Sequence, residues 1–221
     1  MKKFITVLTA ALLFAAAGCS SGAKTVSGSE QPETEQEEVS ENTAAEETEA
    51  EQESEAETPA GEAHAETLVA FFSATGTTKG VAEKIASLTG ADLYEIMAAQ
   101  PYTAEDLNYN DDNSRTSKEQ NDKSVRPEIG SEEISLEGYT TVYLGFPIWW
   151  GEEPRILDAF VEKYSFDGIT VIPFCTSGSS GIGRSGENME ALAGSGTWLE
   201  GRRFDGSVSE EELQTWIDGL Q

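Results

Sequence analysis

The chain reads Thr67-Leu68-Val69-Ala70-Phe71-Phe72-Ser73 and continues directly as Ala74-Thr75-Gly76-Thr77-Thr78. The first seven residues form a continuous apolar run, which is typical of a strand that is buried on both faces of a parallel sheet. After the hydroxyl-rich turn, Val81, Ile85 and Leu88 recur at helical spacing, and Gly90 stands where a helix would end. The stretch therefore predicts a strand, a tight turn and a helix in direct succession.

The same unit recurs along the rest of the chain. Further strands are expected at residues 92–97, 141–146, 169–174 and 198–204, and further helices at residues 154–164, 186–193 and 209–220. Residues 102–129 are polar and irregular, which predicts a long loop with short helical pieces over one sheet edge. Strands that alternate with helices predict an α/β fold with three layers, a doubly wound five-stranded parallel sheet, and ligands at the carboxyl ends of the strands.

The N-terminus has the pattern of an export signal. Lys2 and Lys3 precede a 14-residue apolar stretch, residues 4–17, which is too short to span a bilayer comfortably. The small residues before Cys19 resemble the lipobox of bacterial lipoproteins. This resemblance implies that residues 1–18 are a signal peptide, that Cys19 is diacylated, and that the protein is extracytoplasmic and lipid-anchored to the cell membrane.

An acidic segment follows the signal. Residues 19–66 contain fifteen glutamates, one lysine and no aromatic residue. Such a composition cannot bury enough apolar surface to offset the entropy of ordering, so residues 19–66 are predicted to be a disordered linker and residues 67–221 the folded domain. The single histidine of the chain, His64, lies in this linker, which excludes Ser-His-Asp and Cys-His catalysis from the domain.

The charge and the cysteine count exclude further classes of protein. The formal net charge is −27, with 41 acidic and 14 basic residues, which disfavours a nucleic-acid-binding surface. With two cysteines and no CxxC or HExxH motif, the sequence offers no thiolate or imidazole metal cluster.

The turn after the first predicted strand is a candidate anion site. Ser73, Thr75, Thr77 and Thr78 supply hydroxyls, and the backbone N–H groups beside Gly76 stand at a helix N-terminus. These groups suit a terminal phosphate monoester without any cation. The alternative is that the turn is only a helix cap rich in Ser and Thr.

The turn after the third predicted strand carries two adjacent tryptophans. It contains Pro147, Ile148, Trp149, Trp150 and Gly151. Adjacent tryptophans in an extended loop cannot both face inward. One tryptophan is expected to pack and the other to serve as a platform for a planar ring, although both could pack structurally.

The turn after the fourth predicted strand is rich in glycine. It contains Cys175, Thr176, Ser177, Gly178 and Gly181, and its N–H groups could bond the edge of a flat ligand. Cys175 has no basic neighbour in sequence, which favours a packed small residue over a reactive thiolate.

These three turns resemble the phosphate loop, the tryptophan-bearing loop and the flavin-edge loop of flavodoxins, and the resemblance covers residues 67–221. It implies strand order 2-1-3-4-5, non-covalently bound FMN and electron transfer. The cofactor-binding residues that it implies are Ser73, Ala74, Thr75, Gly76, Thr77, Thr78, Pro147, Ile148, Trp149, Trp150, Gly151, Cys175, Thr176, Ser177, Gly178 and Gly181. The third loop departs from the family by lacking a tyrosine, which leaves Trp149 or Trp150 to stack on the flavin alone.

The leading hypothesis is an electron carrier tethered outside the cytoplasmic membrane. Its acidic domain is expected to attract redox proteins with basic patches, to touch the membrane only through its lipid anchor, to bind no nucleic acid and to be a monomer. An FMN-dependent NAD(P)H:quinone or flavin reductase is the first alternative. A cofactor-free surface binding module on the same fold is the second.

Overall fold

A computed structural model describes residues 65–220 of the chain. The predicted signal peptide, Cys19 and almost all of the predicted linker lie outside the described residues. The described elements are, in chain order, β1 (Thr67–Phe71), α1 (Thr77–Thr89), β2 (Asp92–Glu95), α2 (Arg115–Asn121), β3 (Thr141–Pro147), α3 (Arg155–Lys163), β4 (Thr170–Thr176), α4 (Ser185–Ala193), β5 (Thr197–Trp198), β6 (Arg202–Phe204) and α5 (Glu210–Asp218).

The strands form one parallel sheet in the order β2-β1-β3-β4-β5, with β6 also paired to β4. The predicted strand order 2-1-3-4-5 is therefore confirmed. Because every strand runs in the same direction, the turns that follow β1, β3 and β4 all leave the sheet at one edge. That edge is where the three candidate turns of the sequence should meet.

Both faces of the sheet are covered, as the doubly wound prediction requires. Alternate residues of β1 point to opposite faces: Leu68 and Ala70 enter a core built with α3 and α4, whereas Val69 and Phe71 enter a core built with α1 and α5. All four side chains are fully buried, so β1 is buried on both faces, as its continuous apolar run predicts.

The fifth strand is the element in which the sequence prediction is wrong in detail. Residues 198–204 do not form one strand but two short pieces beside β4. Val171 pairs with Trp198, and Phe174 pairs with Arg202. Between these pairs, the three residues 199–201 lie opposite the two residues 172–173 of β4, so the edge strand has one extra residue, as in a β-bulge. Pro173 of β4 lies opposite this bulge, and its lack of an N–H group removes a ladder bond there.

The irregular stretch between β2 and β3 contains one helix, α2, as the prediction of short helical pieces requires. The α2 N-cap is Ser114, whose hydroxyl oxygen accepts a hydrogen bond from the amide of Ser117 at 3.2 Å. Elsewhere the helix bounds differ by a residue or two from those expected, and Pro154 is the N-cap of α3 instead of its first residue. Among residues 65–220, no helix is long and apolar enough to cross a membrane.

Candidate functional site

The three candidate turns do meet at the carboxyl edge of the sheet. The amide of Ile148 donates a hydrogen bond to the carbonyl of Thr176 at 3.1 Å, which joins the second turn to the third. At the far end of these turns, a Cβ placed on Gly183 would lie 3.3 Å from the carbonyl oxygen of Gly151. The first turn is joined to the third by its own contact, between the hydroxyls of Thr78 and Thr176, at 2.8 Å.

The start of α1 is an uncapped helix terminus. Gly76 is its N-cap, in the left-handed region at φ 86°, and within residues 65–220 no side chain caps the first amides. The exposed side chains of Thr75 and Thr77 flank it, with their hydroxyl oxygens 3.5 Å apart. The nearest cation along the helix, Lys79, is bonded to Glu95 at 2.8 Å. Helix amides and hydroxyls are therefore the donors of this site, which matches the predicted anion-binding turn.

Thr78 does not contribute a free hydroxyl to that turn, contrary to the expectation from sequence. Its side chain is 1% exposed and bonds the hydroxyl of Thr176, which is itself 3% exposed. Helical periodicity explains this, because Thr78 lies on the same face of α1 as the buried Val81, Ala82 and Ile85. The accessible hydroxyls of the first turn are those of Ser73, Thr75 and Thr77.

The second turn is a two-residue reversal with Trp150 and Gly151 at its tip. The amide of Trp149 donates to the carbonyl of Glu152 at 2.9 Å, and the amide of Glu152 donates back to the carbonyl of Trp149 at 3.0 Å. Both tip residues have positive φ, 52° for Trp150 and 84° for Gly151, as a type I′ turn requires. Positive φ costs a tryptophan about 1–2 kcal/mol, so contacts with the surrounding residues must hold Trp150 in that conformation.

The two tryptophans point in different directions, as the sequence predicts. The Trp149 ring packs edge-on against Phe72, with ring centres 5.4 Å apart, and against Tyr102, with ring centres 5.2 Å apart. Trp150 is 44% exposed, which is unusual for so large an apolar side chain. Trp149 is therefore the packed member of the pair and Trp150 the one that is free to stack on a planar ligand.

The third turn is held in shape by its own residues and by β6. The Ser177 amide donates to the carbonyl of Phe204 at 3.3 Å, its hydroxyl donates to the carbonyl of Ser180, and its own carbonyl accepts from the guanidinium of Arg203 at 3.0 Å. Ser177 thus shapes the loop, and neither its amide nor its hydroxyl has a proton left to donate to a ligand. Gly178 and Gly181 are exposed, and a Cβ at either would meet no atom within 4 Å, so their backbone is open to a ligand.

Several candidate residues are too enclosed to touch a ligand with their side chains. Cys175 and Thr176 belong to β4 and are buried, and burial raises the pKa of the Cys175 thiol to about 12. The packed small residue expected at this cysteine is confirmed, and the predicted cofactor contact is corrected to exclude its thiol, because the side chain is fully buried. Ala74 and Ile148 are half-buried and pack against the core, and Pro147 is the last residue of β3.

A buried ionic cluster lies directly behind the tryptophan turn, and the sequence analysis missed it. Arg155 at the start of α3 contacts three carboxylates: Glu152 at 2.6 Å, Asp158 at 3.2 Å and Glu153 at 3.6 Å. Arg155, Glu153 and Asp158 are each at most 2% exposed. The pKa of Asp158 is raised to about 6, mainly because the carboxyl is buried and secondly because the Glu153 carboxylate repels its charged form. The residues would have been read from sequence as an ordinary charged first turn of a helix.

A groove of about 400 Å³ opens beside the first turn, between the ends of β1 and β2. It is lined mainly by apolar groups, including Phe72, Ile96, Met97 and Tyr102. Ser73 and Ala74 line it on the side of the predicted anion-binding turn. Met97 is 51% exposed at its mouth. Within residues 65–220, no group of three or more His, Cys, Asp or Glu side chains is arranged to hold a metal ion.

Comparisons with known proteins place the chain in a family. Two crystal structures assigned as flavoproteins are similar to it. The match to the one from Bacteroides eggerthii has 44% identity and a TM-score of 0.66, and covers 70% of this chain and 96% of that chain. The match to the one from Bacteroides uniformis has 43% identity and a TM-score of 0.67, and covers 70% of this chain and 99% of that chain. A Lactobacillus acidophilus flavoprotein in complex with FMN, 21% identical, covers 68% and 97% at a TM-score of 0.50 and shares the fold. No curated protein sequence matches. The family model for flavodoxin matches residues 66–220, and the chain therefore belongs to the flavodoxin family.

Proposed function

We propose that the protein binds FMN without a covalent link and carries electrons, and that a lipid on Cys19 tethers it to the outer face of the cytoplasmic membrane. The observation that carries the first part is the uncapped start of α1, flanked by two exposed threonine hydroxyls, at the same sheet edge as the exposed Trp150. A phosphate donor set and an aromatic face at one edge suit a phosphorylated planar ligand better than either feature alone. The family, and the FMN complex of a protein with the same fold, agree with this ligand.

The residues at the sheet edge fit FMN in their chemistry. The amides after Gly76 and the hydroxyls of Ser73, Thr75 and Thr77 would hold the phosphate, because a helix N-terminus favours a dianion. Trp150 would cover one face of the ring, and the backbone of Gly178 and Gly181 would bond its edge. FMN, when bound, supplies the redox centre for accepting and donating electrons.

The protein itself supplies position and charge. The Thr78–Thr176 contact holds the first and third turns together, and the guanidinium of Arg203 holds the third turn closed. Acidic residues outnumber basic ones almost threefold in the chain, so the protein should associate with redox partners that present basic patches, at rates that fall as salt rises. The same charge disfavours nucleic acid as a partner.

The test of cofactor binding uses the full chain in detergent, titrated with FMN and with riboflavin while flavin fluorescence is followed. Tight binding of FMN, with riboflavin at least tenfold weaker, is expected because riboflavin lacks the phosphate. Thr75→Val with Thr77→Val should lower FMN affinity and leave riboflavin affinity unchanged. Equal affinities for the two flavins in the wild-type chain would contradict the assignment of the first turn.

The tests of function and location are separate. A carrier should exchange electrons with a basic redox protein such as cytochrome c and show no steady turnover of NADH or NADPH with a quinone; such turnover would instead establish a reductase. For location, the wild-type chain should fractionate with the membrane and Cys19→Ala with the soluble extracytoplasmic fraction. Recovery of both in the same fraction would refute the lipid tether.

A further inference from the structure

We propose that Gln120, on α2, is a positioning residue for Trp150: it holds the tryptophan turn in the strained conformation in which Trp150 faces a bound flavin. This inference rests on the proposed FMN site and adds to it a residue that belongs to none of the three cofactor turns. Gln120 lies in the crossover between β2 and β3, far from those turns in sequence.

The side chain of Gln120 bonds the backbone on both sides of the turn. Its Nε2 donates to the carbonyl of Trp149 at 2.8 Å and to the carbonyl of Glu153 at 3.1 Å. Trp149 opens the turn and Glu153 follows its last residue, so one amide group bridges the two ends. The side chain is 7% exposed, which keeps water from replacing these bonds.

The turn needs such external support because its own bonds are few. Residues 149–154 lie between the end of β3 and the start of α3, and among the described residues they have no strand partner beyond the Trp149–Glu152 pair itself; only Ile148, before them, bonds Thr176 of β4. The two mutual bonds of Trp149 and Glu152 close the turn but do not fix its direction. Trp150, at φ 52°, would relax to negative φ if the turn were released, because left-handed backbone is strained for a side chain with a Cβ.

Further contacts connect α2 to the same turn. Lys123, just after α2, bonds the Glu152 carboxylate at 2.8 Å, and the Tyr102 ring packs against Trp149. Tyr102 in turn donates its hydroxyl proton to Glu119 of α2 at 2.7 Å. The segment around α2 therefore contacts the turn through backbone, carboxylate and ring, and Gln120 is its innermost contact.

The choice of glutamine at this position is not explained by packing. The Oε1 atom of Gln120 is buried and accepts no hydrogen bond from the described residues. An apolar side chain of the same size would avoid leaving a buried acceptor unbonded, and would fill the same space. Among uncharged side chains, only an amide can donate to two carbonyls at once, which points to the turn as the reason for the residue.

The test compares Gln120→Met with Gln214→Met as a matched control. Gln214 is on α5, where its amide bonds Asp218 at 2.7 Å, away from the turn. Gln120→Met should weaken FMN binding about tenfold in the full chain, the effect of losing roughly one buried hydrogen bond to a positioned group. Gln214→Met should bind FMN as the wild-type chain does. If Gln120→Met retains full affinity, the proposal is overturned.

A double-mutant cycle separates positioning from a general structural effect. In a Trp150→Ala background, Gln120→Met should change FMN affinity less than twofold, because the side chain that it positions is gone. An equal loss in both backgrounds would overturn the proposal. If Gln120→Met does not fold, the same cycle is run with Gln120→Leu.

A second readout needs no flavin. The chain labelled with 5-fluorotryptophan should show a Trp150 ¹⁹F resonance, assigned by its loss in Trp150→Phe, which shifts or broadens in Gln120→Met and is unchanged in Gln214→Met. An unchanged resonance in Gln120→Met refutes the positioning role even if FMN binds. A shifted resonance in a chain that binds no FMN refutes the proposed function and retains the positioning role.

Discussion

The hydroxyl oxygens of Thr78 and Thr176 lie 2.8 Å apart in the interior, between the first turn of α1 and the last residue of β4. This contact joins the turn expected to bind phosphate to the turn expected to bind the flavin edge. Replacing one partner leaves the other hydroxyl buried without its bond, which costs more than the bond itself contributes.

Thr176→Val is therefore expected to lower the free energy of unfolding by about 1–2 kcal/mol. The measurement is urea denaturation followed by far-UV circular dichroism. The double variant Thr78→Val with Thr176→Val should lose less than the sum of the single variants, since no orphan hydroxyl remains. Additive losses would show that the two hydroxyls do not depend on each other.

Trp150→Gly should change stability and FMN binding in opposite directions. Glycine adopts positive φ without strain, so the variant without flavin should gain up to about 1 kcal/mol in free energy of unfolding, while its FMN affinity falls. Trp150→Ala serves as the control, because it removes the ring and keeps a Cβ at positive φ. Thermal unfolding and FMN titration of both variants check this, and an equal stability for the glycine and alanine variants would argue against strain at this position.

The free energy of unfolding should depend on pH through the titration of Asp158. Its pKa is raised to about 6 by burial and by Glu153, with Arg155 and Arg126 acting in the opposite direction. A folded pKa above the unfolded value means that the folded chain retains the proton longer, so this group's contribution is present at low pH and is lost as pH rises from about 4 to about 6. The difference in unfolding free energy between wild type and Asp158→Asn should fall across that window. A difference that is constant with pH would refute the raised pKa.

Cys175 should be inert to thiol reagents in the native protein. Its pKa of about 12 and its full burial deprive it of both thiolate and access at pH 8. In a Cys19→Ala chain, we expect no reaction with Ellman's reagent under native conditions and one thiol after denaturation. Prompt native labelling would show that β4 opens at its carboxyl end.

The sequence predicts most of the fold because its apolar patterns are strong where the sheet is buried. The run from Leu68 to Phe71 has no alternation, and it forms a strand that is buried on both faces and paired on both sides. The prediction of one strand over residues 198–204 was wrong because the bulge opposite Pro173 depends on a strand distant in sequence. No local pattern in one segment reports the lack of an N–H group in another.

The sequence predicts the turns of the candidate site but not the residues outside the turns that hold them in place. Thr75 and Trp150 stand beside glycines in sequence, and turn chemistry identifies them locally. Thr78 was misread because the turn's composition outweighed the helical period that buries it. Gln120 and Arg155 gave no signal, because their roles depend on contacts across elements and their charged or polar neighbours are typical of solvated loops.

The divided fifth strand has a consequence for how neighbouring molecules behave. It borders the sheet with two pieces of two and three residues, separated by a bulge, so it presents no long row of free amides and carbonyls on which another molecule could add a strand. At the opposite border, Met97 is bonded by Ser131 and Gly130 beyond the end of β2. The irregularity that interrupts the strand therefore also protects neighbouring molecules from pairing edge to edge at this border of the sheet.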